Sequence, residues 1–467
     1  MYKKWFLPLL VMLVLSATGV AQVQPLAPFQ AGERVSFVGN SITEQGYYES
    51  YVWLYYMLHF PGRRIWIDNC GIGGDRAKNI LARLDTDVLK RKPSTICLTF
   101  GMNDSGYFEF LAANADSTAK ERVRECQSYF DTIELKLKAY TAAKKILITS
   151  SLYDETMKNP KNYFPKKSQA MNEIAAFQEK AAQDNHWGFV DFFHPMTEIT
   201  LREQKSDSAF TLTGPDRIHP GNTGHFVMAW LFLKQQGLAG KPVAEVVIDA
   251  AGKKVQRSEN CQLSALSVAH DDIRVDYLAA SLPFPQDTIP RLFGNPQRQA
   301  DALGVIPFNE EMNREMLTVH GLGAGNYWVT IDGELVGTWT GAQLSAGINL
   351  ALLKNTPEYE QAMSVLWLNE ERMALESKLR AYYWLQFEFF RGEGLQFADN
   401  ARAMDSLNAT APKNWFVGSK KDNYRAARYA AVRQAWQKEM DLLVDEIYRV
   451  NQPRKHTIRI VKAELEH

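Results

Sequence analysis

Between residues 33 and 237 short apolar runs alternate with stretches of helical period. Val35-Ser36-Phe37-Val38 ends at Gly39, Arg64-Ile65-Trp66-Ile67 at Asn69-Cys70-Gly71, and Thr95 to Phe100 at Gly101. Ile146-Leu147-Ile148-Thr149 then ends at Ser150, and Phe189-Val190 near Asp191. Short apolar strands separated by helices predict a parallel sheet covered on both faces. The clearest helical stretch runs from Thr118 to Ala143. A last helix is predicted with Asn222-Thr223 as its N-cap, Phe226 to Leu233 as its apolar body and Gly237 as its stop.

Gly240-Lys241-Pro242 reads as a linker, and the pattern changes beyond it. Val243 to Ala250, Ile273 to Leu278, Met316 to Val319 and Tyr327 to Ile331 look like strands, separated by turn chemistry such as Asp332-Gly333. Thr356-Pro357-Glu358 is a helix start with Pro at the first helical position, and the pattern continues towards Arg391-Gly392. A second helix is expected over 423–448. His456 to Val461 alternates like a strand and is expected to return to the β module, which makes the helices an insertion in it. Gly321-Leu322-Gly323-Ala324-Gly325 reads as a hairpin loop. The expected organisation is a leader over 1–21, an α/β unit over 22–240, a β-rich module over 241–355 and a helical segment over 356–467.

Composition narrows the class. The 467 residues carry 53 Lys+Arg and 53 Asp+Glu, so no basic field points to nucleic acid. Lys3 and Lys4, the apolar run Trp5 to Leu15 and the small residues Gly19-Val20-Ala21 form an export signal. The mature protein is therefore expected outside the cytoplasm, in the periplasm, on the cell surface or in the medium, with no stable membrane insertion. Cys70, Cys97, Cys126 and Cys261 lack C-x-x-C spacing and imply no disulfide framework.

The candidate chemistry sits just past the strands, where ligand sites of such sheets lie. Ser41 follows β-strand and glycine, and its hydroxyl needs a histidine to take its proton. Ser41-Ile42-Thr43-Glu44 also fits a capping box, with Ser41 capping the next helix. Asp216 stands one turn before His219, so its carboxylate can accept from Nδ1–H and leave Nε2 facing the serine. The glycine-rich segment Asn69 to Asp75 offers the Gly74 N–H to an oxyanion, and Gly101-Met102-Asn103-Asp104 offers a side-chain amide. Tyr153 also falls just after a strand. Taken singly, each is an ordinary cap, turn or surface pair. Their joint order makes the pattern specific.

Together these four blocks resemble the SGNH, or GDSL-like, family of serine esterases and lipases, over about residues 33–237. The resemblance implies a three-layer α/β/α, flavodoxin-like sandwich, Ser41 as nucleophile, His219 as base and Asp216 as its orienter. It further implies that the Gly74 N–H, the Asn103 side chain and the Ser41 N–H form the oxyanion hole. The family's usual aspartate before the nucleophile is Asn40 here. No cofactor or metal is implied. The ester substrate is expected to be an acetylated glycan; a lipase, lysophospholipase or thioesterase is the alternative within the family. A glycan-binding protein with a relict site is the alternative from another class.

Other residues read as structural. His194, His225 and His270 lack carboxylate or cysteine partners at metal spacing. Tyr47, Tyr48, Tyr51, Tyr55 and Tyr56 form an aromatic stripe that reads chiefly as core.

Overall fold

The computed structural model describes residues 26–270, 272–292 and 294–463. The expected export signal lies outside the described residues. Strands β1 (Arg34–Gly39), β2 (Trp66–Gly71), β3 (Thr95–Thr99), β4 (Lys144–Ile148) and β5 (Gly188–Val190) form a parallel sheet in the order β2-β1-β3-β4-β5. Alternate side chains feed two cores. Phe37, Cys97, Ile146 and Ile148 pack with the helices Tyr47–His59 and Asn222–Gln235. Val38, Ile96, Leu98 and Leu147 face Ala77–Arg83, Ala115–Ala139 and Lys167–Asp184. The period of two thus makes a sandwich of three layers, as the strand pattern predicts.

Several boundaries move. The helix expected from Thr118 begins at Ala115 and ends at Ala139, where the chain turns into β4. The last helix of the unit begins at Asn222, but its N-cap is Gly221 and makes no side-chain cap bond. Asn222 instead donates to Tyr51 Oη and accepts from the Arg291 N–H, and Thr223 donates to Arg298 O. Those side chains serve tertiary contacts rather than the helix end.

Beyond the linker, β6 (Ala244–Asp249), β7 (Lys254–Glu259), β8 (Cys261–Ala269), β9 (Asp272–Ala279), β10 (Glu315–His320), β11 (Asn326–Ile331), β12 (Glu334–Thr340), β13 (Ile348–Asn349) and β14 (His456–Lys462) form two sheets. Their orders are β13-β10-β6-β7 and β12-β11-β14-β9-β8. Val246, Ile248, Leu317 and Val319 of one sheet share a core with Val275, Val329, Ile458 and Ile460 of the other. The Gly321–Gly325 loop joins β10 to β11 and so crosses between sheets; it is not a hairpin. Strand β14 slots between β9 and β11, antiparallel to both.

The chain between β13 and β14 is helical. Thr356 caps Pro357–Trp384 by accepting from the Tyr359 N–H, and the helix runs on through the wider turns Leu385–Phe390. The second helix expected over 423–448 is two, Lys421–Ala427 and Ala430–Val450. Ala362, Val365, Leu366, Val444 and Ile447 join the apolar core of the α/β unit, as do Leu282, Phe284 and Phe308 from the segment after β9.

Candidate active site

Asn40 follows β1 in extended geometry and accepts the Ile42 N–H on Oδ1 at 3.0 Å, capping the short helix Ser41–Glu44. This corrects the expectation that Ser41 is the cap. Ser41 is the first helical residue, and its hydroxyl is left to meet His219 Nε2 at 2.8 Å. An amide oxygen caps as an aspartate oxygen would, so Asn40 preserves this turn.

Asp216 and His219 lie in the loop before the helix Asn222–Gln235. Asp216 Oδ1 accepts the backbone N–H of Ile218 and of His219, both at 3.0 Å, and Oδ2 lies 2.5 Å from His219 Nδ1. Burial pushes the Asp216 carboxyl up, but the hydrogen bonds from His219 and Ile218 outweigh it and hold the group below its ordinary value. The anion keeps the proton on Nδ1, so Nε2 is the lone-pair nitrogen that receives the Ser41 O–H. Arg217, at φ +67, is held in the left-handed region by its own side chain. Its buried guanidinium donates to the carbonyls of Asp154, Met157, Asn159 and Lys161 and pins the loop down.

Gly74 (φ +93) follows β2 in a loop pressed against the Ser41 turn. A β-carbon on Gly71 would come within 2.1 Å of the Glu44 backbone nitrogen, so only glycine permits that approach. Among the described residues the N–H groups of Ser41 and Gly74 have no protein acceptor. Asn103 spends one amide proton on Asp75 O at 2.8 Å, and its Oδ1 accepts the Tyr107 hydroxyl at 2.5 Å, which orients the second amide proton. Asp104 ties this loop to both flanks, accepting from Ala77 N–H at 2.7 Å and Gly101 N–H at 2.9 Å. Beneath it the buried Lys167 Nζ donates to Met102 O, Ser105 Oγ and Gly106 O. Sequence reasoning passed over Tyr107, Lys167 and Arg217, which support the site from behind; a lysine or arginine in a polar stretch carries no mark of burial.

Ser41, Gly74, Asn103, Asp216 and His219 thus converge on one rim of the sheet. Tyr153 does not join them: its hydroxyl donates to Asn162 O and accepts the Phe164 N–H. Tyr48, Tyr51, Tyr55 and Tyr56 are buried in the core. His225 is buried beside Gln45 Oε1, and burial, reinforced by His219, lowers it to about 3. His194, expected to lack a carboxylate partner, has one at the same Asp-x-x-His spacing as the site: its Nδ1 lies 2.7 Å from Asp191 Oδ2. Among the described residues no group of three or more His, Cys, Asp or Glu side chains is placed to hold a metal ion. A cleft of about 650 Å³ lies away from Ser41, lined by Asp87, Arg91, Tyr382, Tyr383, Phe397 and Arg433. The hydrogen-bonded side chains, not cavity size, locate the candidate site.

The GDSL-like lipase/acylhydrolase family matches residues 37–226, and the diltiazem deacetylase C-terminal helical domain matches residues 363–452. A gut microbial diltiazem-metabolizing enzyme of known structure is 41% identical, covering 94% of this chain and 100% of that chain with a TM-score of 0.92. An acetylxylan esterase of Geobacillus stearothermophilus is 23% identical over 222 residues, which is 44% of this chain and 95% of the esterase. A catalytic mutant of that esterase, solved as a crystal structure, covers 45% of this chain and 96% of its own, with a TM-score of 0.36.

Proposed function

Because this chain belongs to the GDSL-like lipase/acylhydrolase family and is an ester-hydrolysing enzyme, we propose that it works through an acyl-serine intermediate on Ser41. The observation that carries this reading is the unbroken path from Ser41 Oγ to His219 Nε2 at 2.8 Å and from His219 Nδ1 to Asp216 Oδ2 at 2.5 Å. His219 takes the Ser41 proton as Oγ attacks the acyl carbon, and the imidazolium is stabilised by Asp216. The tetrahedral oxyanion accepts from the N–H groups of Ser41 and Gly74 and from Asn103 Nδ2. His219 then gives the proton to the departing alcohol. Water, deprotonated by the same nitrogen, attacks the acyl-serine; the acyl–Oγ bond breaks, His219 returns the proton to Ser41 Oγ, and the acid leaves.

The acyl group in this proposal is acetyl, and the alcohol is a carbohydrate. Support comes from the relative named as an acetylxylan esterase and from helices matching a domain named for a deacetylase. A second reading, an acetyl ester of diltiazem or a similar small molecule that is not a sugar, is favoured by the near-full-length likeness to the diltiazem-metabolizing enzyme. Export belongs to the same proposal and is supported by the pattern Lys3-Lys4, Trp5 to Leu15 and Gly19-Val20-Ala21.

Hydrolysis of p-nitrophenyl acetate, butyrate and octanoate, wild type beside Ser41→Ala, tests the reading. Turnover that needs Ser41 and falls steeply with chain length is expected. Rates that rise with chain length would favour a lipid substrate, and equal rates in the two proteins would sink the serine mechanism.

A further inference from the structure

In the sheet order β2 is an edge strand, and its outer edge is met by one stripe of the helix Pro357–Trp384 and its continuation. Glu376, Arg380, Trp384 and Glu388 are four residues apart and therefore share a helix face. Glu376 Oε1 accepts the Asn69 N–H at 2.9 Å, Arg380 donates to Gly71 O at 2.9 and 3.0 Å, and Trp384 Nε1 donates to Gly73 O at 2.9 Å. Glu388 Oε1 accepts from Asn79 Nδ2 at 3.3 Å. Alternate residues of an extended chain present the same edge every ~6.6 Å, and four helical residues rise about 6 Å. The two periods match closely enough for one stripe to follow the strand out into the loop.

The last of these strand-side contacts bears on the oxyanion. Gly73 C=O and Gly74 N–H belong to one planar peptide group, so whatever fixes the carbonyl fixes the N–H pointing the opposite way. The Gly73 N–H is held as well, donating to Oε2 of the half-buried Glu44 at 2.6 Å. A β-carbon on Gly73 would come within 2.6 Å of Glu44 Oε2, 3.4 Å of Trp384 Nε1 and 3.6 Å of Ser41 Cβ. A side chain there would push the Glu44 carboxylate off the Gly73 N–H, and the indole lies beside the nucleophile's own turn.

We propose that Trp384 is a positioning residue of the esterase site, its indole N–H fixing and polarising the Gly73–Gly74 peptide so that the Gly74 N–H is aimed at the oxyanion. The inference rests on the acyl-serine reading above. Aligned hydrogen bonds strengthen one another, so the donor at Gly73 O also makes Gly74 N–H a better donor. The helical segment is thereby a working part of the site, delivering a group the α/β unit lacks.

The test is kinetic, on the full chain, with two variants: Trp384→Phe and the tryptophan analogue whose ring N–H is replaced by sulfur. The analogue keeps the packing and removes only the donor. Direct loss of an oxyanion donor costs about 10²–10³ in kcat; a donor acting through the peptide is expected to cost about tenfold, with KM for p-nitrophenyl acetate within about twofold. The affinity of a boronic acid, which forms a tetrahedral anion on Ser41, should fall by the same factor. Unchanged kcat in the analogue, a change confined to KM, or a fall in kcat without a fall in boronate affinity would overturn the proposal. Ser41→Ala in the same assay separates the two levels. If it abolishes turnover while both Trp384 changes are silent, only the role of Trp384 fails. If Ser41→Ala remains active, the acyl-serine reading fails first.

Discussion

Asp191 and His194 form nearly the same local turn as Asp216 and His219. In each pair the histidine N–H donates to Asp Oδ1, at 3.2 and 3.0 Å, and Nδ1 lies against Oδ2, at 2.7 and 2.5 Å. The histidines differ modestly in exposure, 49% against 34% for the side chains. What separates them is the far nitrogen. His219 Nε2 meets Ser41 Oγ at 2.8 Å, whereas His194 Nε2 meets Asn172 Oδ1 at 2.6 Å. Sheet order explains the difference: Asp191 follows β5, which β3 and β4 separate from β1, a distance of about 14 Å at normal strand spacing. The Asp216 loop comes later and crosses back over the end of β1. An Asp-x-x-His spacing therefore reports a turn that orients an imidazole; the topology decides whether the imidazole has a reaction to serve.

Removing the imidazoles in turn is the strongest way to break this comparison. His219→Ala is expected to lower kcat by roughly 10⁴-fold or more, as loss of a triad base does, while His194→Ala stays within about twofold of wild type. Comparable losses in the two variants, measured on p-nitrophenyl acetate, would remove the distinction. A smaller effect sharpens it, because only the His219 turn faces a cradle of donors. Asn103→Ala should reduce kcat by about 10²–10³ with little change in KM; full turnover in that variant would take Asn103 out of the oxyanion hole.

Stability extends the contrast to histidines with no carboxylate partner. Burial lowers His59 and His225 from the ordinary 6.5 to about 3. Between those values the unfolded chain binds protons that the folded chain refuses. Their contribution to stability is thus complete above about pH 6.5 and is lost as the pH falls towards 3. Denaturant unfolding at pH 7 and pH 4.5 should show the loss, and His59→Phe should flatten it; an equally steep decline in that variant would point to other groups. The smallest effect belongs to the surface turn. Asp191 also accepts the Thr149 hydroxyl at 2.9 Å, so Asp191→Ala is expected to cost about 1 kcal/mol and leave esterase activity unchanged. A large activity loss there would contradict a purely structural role.

Apart from Tyr153, the residues that the strand-end reading singles out are the ones the fold gathers, because the strands of the parallel sheet are largely buried runs that end in a glycine or polar turn. All five residues of β3 are buried, so that run is plain in the sequence. Strand β7 is the opposite case: Lys254 to Glu259 are all exposed, and no apolar alternation marks them. The break at Arg428 and Tyr429 between the helices Lys421–Ala427 and Ala430–Val450 carries neither glycine nor proline. The stripe Glu376, Arg380, Trp384, Glu388 is the least legible part of the chain. Charged residues at helical spacing read as a solvated face, yet Arg380 is 2% exposed and its guanidinium serves the edge of the sheet. Burial of a charge depends on the partner element, which local sequence does not contain.

Strand β14 has a consequence for how the protein is made. Its neighbours β9 and β11 are translated long before it, and the helical excursion must emerge from the ribosome first. Until Lys462 appears, the sheet is two halves with a vacant slot between them, each half presenting an unpaired edge. Closing that slot is a contact of very long sequence separation, which slows folding and prolongs exposure to aggregation. Insertion of β14 is thus the step that closes the second sheet, and a chain cut short before it would keep the facing edges of β9 and β11 open to pairing with its neighbours.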